Sequence, residues 1–139
     1  MDAQALTGYI RQGIRYETHA EGIRLYLPFF FGQKQEEICL TWDKKGILSD
    51  GGRTLTELKN RLGDLSDYEK SIQRILKYND QVTLEGGRNL VVRHFQTCIC
   101  GEETSLDYMG GFNRLLRVMS LISVVDTVTV TEDGTVRLC

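Results

Sequence analysis

The chain has 139 residues, of which 41% are hydrophobic and 26% charged, with a formal net charge of −2. That composition excludes a disordered tail and a low-complexity protein. The length suits one compact domain, 1–139, that buries roughly two-thirds of its unfolded surface without metal or disulfide staples. Mild acidity removes any global attraction to nucleic acid or anionic membrane and leaves such contacts to local basic patches.

In chain order, Leu6, Ile10 and Ile14 recur every four residues, so a short amphipathic helix is expected over residues 3–13, ended at Gly13. The period then becomes two. Ile14, Tyr16 and Thr18 alternate with charged residues, and after Gly22 so do Ile23, Leu25, Leu27, Phe29 and Phe31. Two alternating runs around a short glycine-containing loop read as a β-hairpin. Pro28 lacks an N–H, so the second strand is expected to be an edge or bulged there. Phe30 falls on the face opposite Phe29 and Phe31, which makes it a candidate partner-binding aromatic.

A third strand follows, with Ile38, Leu40 and Trp42 on one face and Glu37, Cys39 and Thr41 on the other. The turn at 43–46 leads to a return strand at Ile47-Leu48. Asp50-Gly51-Gly52 leaves the sheet for a helix, with Thr54 expected as N-cap and Glu57 at the capping-box position. Ser66 is expected to cap a second helix, with Glu69 as its reciprocal partner and Tyr68, Ile72, Ile75 and Leu76 as its apolar stripe. Joined by Gly63-Asp64, the two helices are expected to pack as a pair against the sheet. A hairpin is predicted from Val82 to Val92 around Gly86-Gly87. The longest helix runs from about 104 to 123, where Gly110-Gly111 costs a lone helix roughly 1–2 kcal/mol against alanine and therefore points to a close neighbour or a break. Val128 and Val130, the Asp133-Gly134 turn, then Val136 and Leu138 form a terminal hairpin. The expected fold class is α+β: a mainly antiparallel sheet built from hairpins, packed against three or four helices.

Candidate chemistry is sparse. Cys39, Cys98, Cys100 and Cys139 are expected as thiols in a reducing, cytoplasmic setting. Residues 1–13 lack the basic-then-apolar pattern of a secretory leader, and no run reaches the roughly 20 apolar residues of a membrane span. Cys98-Ile99-Cys100 is the weak metal candidate. Zinc sites draw on two close ligand pairs, and this is a single pair with the wrong spacing, so neither a metal nor any other cofactor is expected. His94 and the thiols do not assemble a nucleophilic pair in sequence. Asp43, Asp50, Asp64, Asp67 and Asp80 each occupy a turn or cap position, which explains them without a metal cluster. Arg11, Arg15 and Arg24 sit near the first hairpin but among Glu17, Glu21, Glu36 and Glu37. Arg114 and Arg117 lie about one turn apart on the long helix.

The passage Ile47-Leu48-Ser49-Asp50-Gly51-Gly52-Arg53-Thr54-Leu55, followed by Leu58, resembles the core motif of domain-of-unknown-function family 1828, found in bacteria, phages and other mobile elements. The resemblance extends over about residues 23–126, in the order of helices and hairpins. The cysteine loop at 96–104 and the terminal hairpin at 127–139 depart from it. It implies an α+β fold and a mobile-element setting inside a bacterial host cell, and brings no active-site residues. The expected function is thus a small, non-enzymatic binding protein of anti-CRISPR type. Such a protein inhibits or modulates a host nucleic-acid enzyme or defence nuclease by protein–protein contact. Phe30, Glu36, Glu37, Arg114 and Arg117 are the candidate contact residues. The alternatives are a nucleic-acid-binding or processing accessory protein, and a homodimeric scaffold pairing through Phe30 or through Val128 and Val130.

Overall fold

Alternation in the first third of the chain produces a three-stranded meander. β1 (Arg15–His19) pairs antiparallel with β2 (Gly22–Phe31), which sets Tyr16 opposite Leu25 and Thr18 opposite Ile23. β3 (Glu36–Asp43) pairs with the other edge of β2, with Leu25 opposite Leu40. The β2–β3 register shifts between Leu27 and Phe30, and among the described residues the β1–β2 pairing ends at Arg15 and Tyr26. Pro28 therefore sits in a bulge, where its missing donor costs no ladder bond. The computed structural model describes residues 2–5, 13, 15–31, 36–93 and 102–138, with the side chains of 28–31, 36 and 102–110 outside the described residues. Of the expected first helix, residues 3–5 and 13 are helical and the remainder lies outside the described residues.

The middle of the chain extends the sheet and covers one face of it. β4 (Leu48–Ser49) pairs with β3, and α1 (Arg53–Leu62) follows it. A 3-10 turn (Ser66–Tyr68) leads into α2 (Glu69–Lys77). β5 (Thr83–Glu85) and β6 (Asn89–Val92) form a hairpin, and β6 docks on β4. The sheet order is β1-β2-β3-β4-β6-β5, antiparallel throughout. α3 (Glu102–Ser123) runs unbroken through Gly110-Gly111, and Gly111 is buried, as close packing there requires. β7 (Val128–Val130) and β8 (Val136–Leu138) form a separate two-stranded ribbon. The fold is α+β.

One apolar cluster joins these parts. Leu27, Leu40, Leu48, Leu90 and Val92 come from the sheet, Leu55, Leu58, Ile72 and Ile75 from α1 and α2, and Leu115, Val118, Met119 and Ile122 from α3. Val128 and Val130 belong to the same cluster, at 8% and 2% exposure. Both are core residues, so the expected dimer contact through them is not available. Hydrophobic alternation in β7 reflects docking onto α2, not an open edge.

The turn between β4 and α1 is organised by a buried carboxylate. Asp50 is 2% exposed. Its Oδ1 accepts hydrogen bonds from the Gly52 N–H (2.8 Å) and the Leu90 N–H (3.0 Å), and its Oδ2 from the Thr54 N–H (3.2 Å). The Asp50 N–H donates in return to the Leu90 carbonyl at 3.1 Å. This corrects the expected Thr54–Glu57 capping box. Asp50, two residues ahead of the N-cap, already serves the orphan donors of the first turn, so Thr54 lies inside the helix and is buried. Gly52 stands at the N-cap with φ +77, and a Cβ there would fall 2.4 Å from Arg88 Nε and 2.6 Å from Asn89 Oδ1. Left-handed backbone and β6 contact together require glycine. Ser66 is likewise not a helix cap. It sits in the 3-10 turn, its N–H and hydroxyl both donating to Asp64 at 3.1 and 2.8 Å. The other end of α2 behaves as expected, where Asn79, 7% exposed, donates from Nδ2 to the Ile75 carbonyl at 2.8 Å.

Side chains from the two short helices pin the C-terminal ribbon. The Tyr78 hydroxyl donates to the Glu132 carbonyl, and Arg74 donates to that of Val130 at 2.8 Å. Gly134, at φ +87, lies against the Tyr78 ring, where a Cβ would come within 2.6 Å. Arg61 binds both carboxylate oxygens of Asp126, each at 2.8 Å, and also the Ser123 carbonyl at 2.9 Å.

Asp50→Ala strands three buried backbone donors and is expected to destabilise the fold by about 2–4 kcal/mol, read from the urea midpoint. Acid should loosen the ribbon. The Arg61 hydrogen bonds hold the Asp126 carboxyl below its ordinary range. Hydrogen bonds from the Thr131 hydroxyl and the Thr135 N–H bring Asp133 down to about 2. A depressed folded pKa gives stability that is present above the unfolded value, roughly 3.9, and lost as pH falls through the folded one. Asp126→Asn and Asp133→Asn are therefore expected to lower the melting temperature at neutral pH. Their gap to the parent protein should close below roughly pH 4; a gap that stays constant down to Asp133's value of about 2 contradicts the assignment.

Candidate functional site

Three of the five aspartates singled out in the sequence are engaged in turns and caps. Asp43 Oδ1 accepts from the Lys45 and Ile47 N–H groups at 2.9 and 3.0 Å, Asp50 caps α1, and Asp64 closes its own turn. Among the described residues no group of three or more His, Cys, Asp or Glu side chains is placed to hold a metal ion. Cys98 and Cys100 lie outside the described residues. Cys39 stands on β3 beside Tyr26, and burial pushes its thiol up, so it is not prepared as a nucleophile.

The helix-free face of the sheet is polar. Register places Arg15, Tyr26 and Cys39 side by side, with Glu17 and Arg24 one pair along. Arg15 forms an ion pair with Glu37 at 2.6 Å and lies 5.0 Å from the centroid of the Tyr26 ring. The Tyr26 hydroxyl donates to Glu17 at 3.2 Å. Glu37, a candidate contact residue, is thus engaged on this face, and Arg15 is offset by acidic neighbours as its sequence context suggests. Among the described residues β1 and β5 are the two edge strands of the sheet, and Tyr16 on β1 is 71% exposed. Arg114 and Arg117 are exposed on α3, on the opposite side of the sheet from Glu37, and no ion pair among the described residues involves either. The candidate set is therefore divided between two faces. The side chains of Phe30 and Glu36 lie outside the described residues.

A concave site appears elsewhere, among residues to which the sequence assigned no binding role. α1 and α2 were expected to pack on each other, but their main helical contacts are with α3, and a cleft of about 670 Å³ opens between them. Leu55 and Ile72 lie deep in it. Leu65, Leu76 and Leu84 are half-buried along it. Its rim carries Lys59 from α1, Asp64, Ser66, Glu69 and Gln73 from the 3-10 turn and α2, and Gly86-Gly87-Arg88 from the β5–β6 turn. Arg88 marks the end beside the N-terminus of α1, since it packs over Gly52. Asp64 and Glu69 mark the other end, after α1 has finished. The Ser66 hydroxyl and N–H hold the Asp64 carboxyl below its ordinary range, with a smaller contribution from Lys59. Neither Arg88 nor Glu69 forms an ion pair among the described residues. The volume falls within the range of ligand and peptide pockets. Its lining combines an apolar floor with a charged rim and holds neither a cysteine nor a histidine.

Sequence could have hinted at this site only through Leu65 and Leu84, two leucines off the main helical stripes. No family model matches the chain, and neither a curated protein nor a solved structure matches it. No described helix is long and apolar enough to cross a membrane.

The raised Cys39 thiol makes a testable statement. In the native protein at mildly alkaline pH, iodoacetamide should label Cys39 more slowly than the same residue in denaturant, as followed by peptide mass mapping. Equal rates would mean that burial does not protect the thiol.

Proposed function

We propose that the protein is a non-enzymatic binding protein that works by protein–protein contact. The observation that carries this reading is the leucine-floored cleft between α1 and α2, with a charged rim around an apolar centre. An apolar centre with a polar surround is the anatomy of a protein recognition site. The class of partner we propose is a bacterial nucleic-acid enzyme or defence nuclease, met by a phage- or mobile-element-type modulator in the host cytoplasm. That part of the proposal rests on the motif at residues 47–58 and on the net charge of −2, which suits association with a basic nucleic-acid-binding surface.

A second reading, direct nucleic-acid contact, is favoured by one observation. Arg114 and Arg117 are exposed about one turn apart on α3, with no ion-pair partner among the described residues. Two experiments separate the readings. The immobilised protein should retain a nuclease, replication or transcription protein from bacterial extract, and stoichiometric addition should slow that enzyme. Failure to retain or slow any such enzyme rejects the first reading. In gel-shift titrations at two salt concentrations the protein should leave duplex and single-stranded DNA unshifted. A salt-sensitive shift abolished by Arg114→Glu with Arg117→Glu would establish the second instead.

A further inference from the structure

Both ends of the cleft are charged, and the charges are opposite. Resting on the binding-protein reading, we infer that the cleft receives an amphipathic helical segment of the partner, with its acidic turn against Arg88 and its basic turn against Glu69. Three observations select that occupant. First, the walls are two helices that each pack on α3, with a leucine-based gap between them. A third helix fills such a gap by the packing that joins helices elsewhere, its side chains seating between those of the walls. Second, α2 lines the cleft from Glu69 to Leu76, so the cleft runs on the order of 12 Å, the length of about two helical turns. Anchors at i, i+3 or i+4, and i+7 then reach Leu84, Leu76 and Leu65 in turn. Third, the rim is asymmetric. Asp64 is already engaged by Ser66 and by the nearby Lys59 charge, so Glu69 is the uncompensated anion at its end, as Arg88 is the uncompensated cation at the other. A helix with acidic residues in its first turn and basic residues in its last is also the arrangement its own dipole favours. The N-terminal turn of the occupant therefore lies at the β5–β6 turn, and its C-terminal turn at the start of α2.

The test uses the full chain and three synthetic helical peptides of about twelve residues. The first has leucines at the anchor spacing, glutamates in the first turn and lysines in the last. The second keeps the leucines and replaces every charge with glutamine. The third keeps the charges and replaces the leucines with alanine. In amide NMR titrations the first should bind and shift the cleft residues, the glutamine peptide should bind about two- to fivefold more weakly, and the alanine peptide should not bind. Arg88→Glu, an exposed substitution that leaves the core untouched, should weaken the first peptide by a similar factor and leave the glutamine peptide unchanged. The assignment is overturned if the alanine peptide matches the leucine peptide, if the shifts map outside the cleft, or if Arg88→Glu affects the two leucine peptides alike. Leu84→Glu, with its fold checked by circular dichroism, separates this inference from the reading beneath it. If that variant still retains the enzyme captured by the parent protein, the cleft assignment fails and the binding-protein reading stands. If the parent protein captures none, the reading itself fails.

Discussion

The contact on which the architecture depends is the buried Asp50 carboxylate. A single side chain caps the first turn of α1 through Gly52 and Thr54 and ties that turn to the sheet through Leu90. Burying a charge is costly unless hydrogen bonds replace its hydration, and two backbone donors at the helix N-terminus and one on β6 supply that replacement. The geometry fixes where α1 leaves the sheet and how closely its start approaches β6. Gly52 lies close to the Arg88 and Asn89 side chains, which sets the start of α1 against the β5–β6 hairpin. The space between the two helices follows from that constraint and from their shared dependence on α3 as packing partner.

Period-two and period-four patterns in the sequence located the strands and helices closely, because in this chain hydrophobic spacing and burial coincide. Leu40 and Leu48 alternate into the core, and Leu115, Met119 and Ile122 recur into it at helical steps. Caps were less legible. Thr54 and Ser66 each satisfied a capping pattern three residues ahead of a glutamate, yet Asp50 and Asp64 had already bound the local donors. Pattern rules score one candidate at a time, whereas the backbone N–H groups donate to whichever carboxylate the fold brings within reach. The exposed dimer edge at Val128 and Val130 failed for a related reason, since alternation in a hairpin cannot say whether something covers it.

The candidate site was the least legible part. Glu37 could be recognised as charged and strand-borne, but its pairing with Arg15 depends on register across two strands. The cleft is a property of separation. Leu65, Leu76 and Leu84 come from a connection, a helix and an edge strand, and nothing in their spacing announces a shared surface. What the sequence did convey was chemical restraint. Its aspartates are turn-formers, and the structure uses Asp43, Asp50 and Asp64 that way.

Asp50 also bears on the order in which the chain folds. Two of its three hydrogen bonds are local, spanning two and four residues, and the third reaches forty residues to Leu90. The local pair can form while the chain is still open and gives α1 a nucleus that isolated short helices lack. The distant bond must wait for loop closure, when β6 enters between β4 and β5. One carboxylate thus ties a local helix start to a strand forty residues away, so the start of α1 and the docking of β6 on the sheet are coupled through the same side chain.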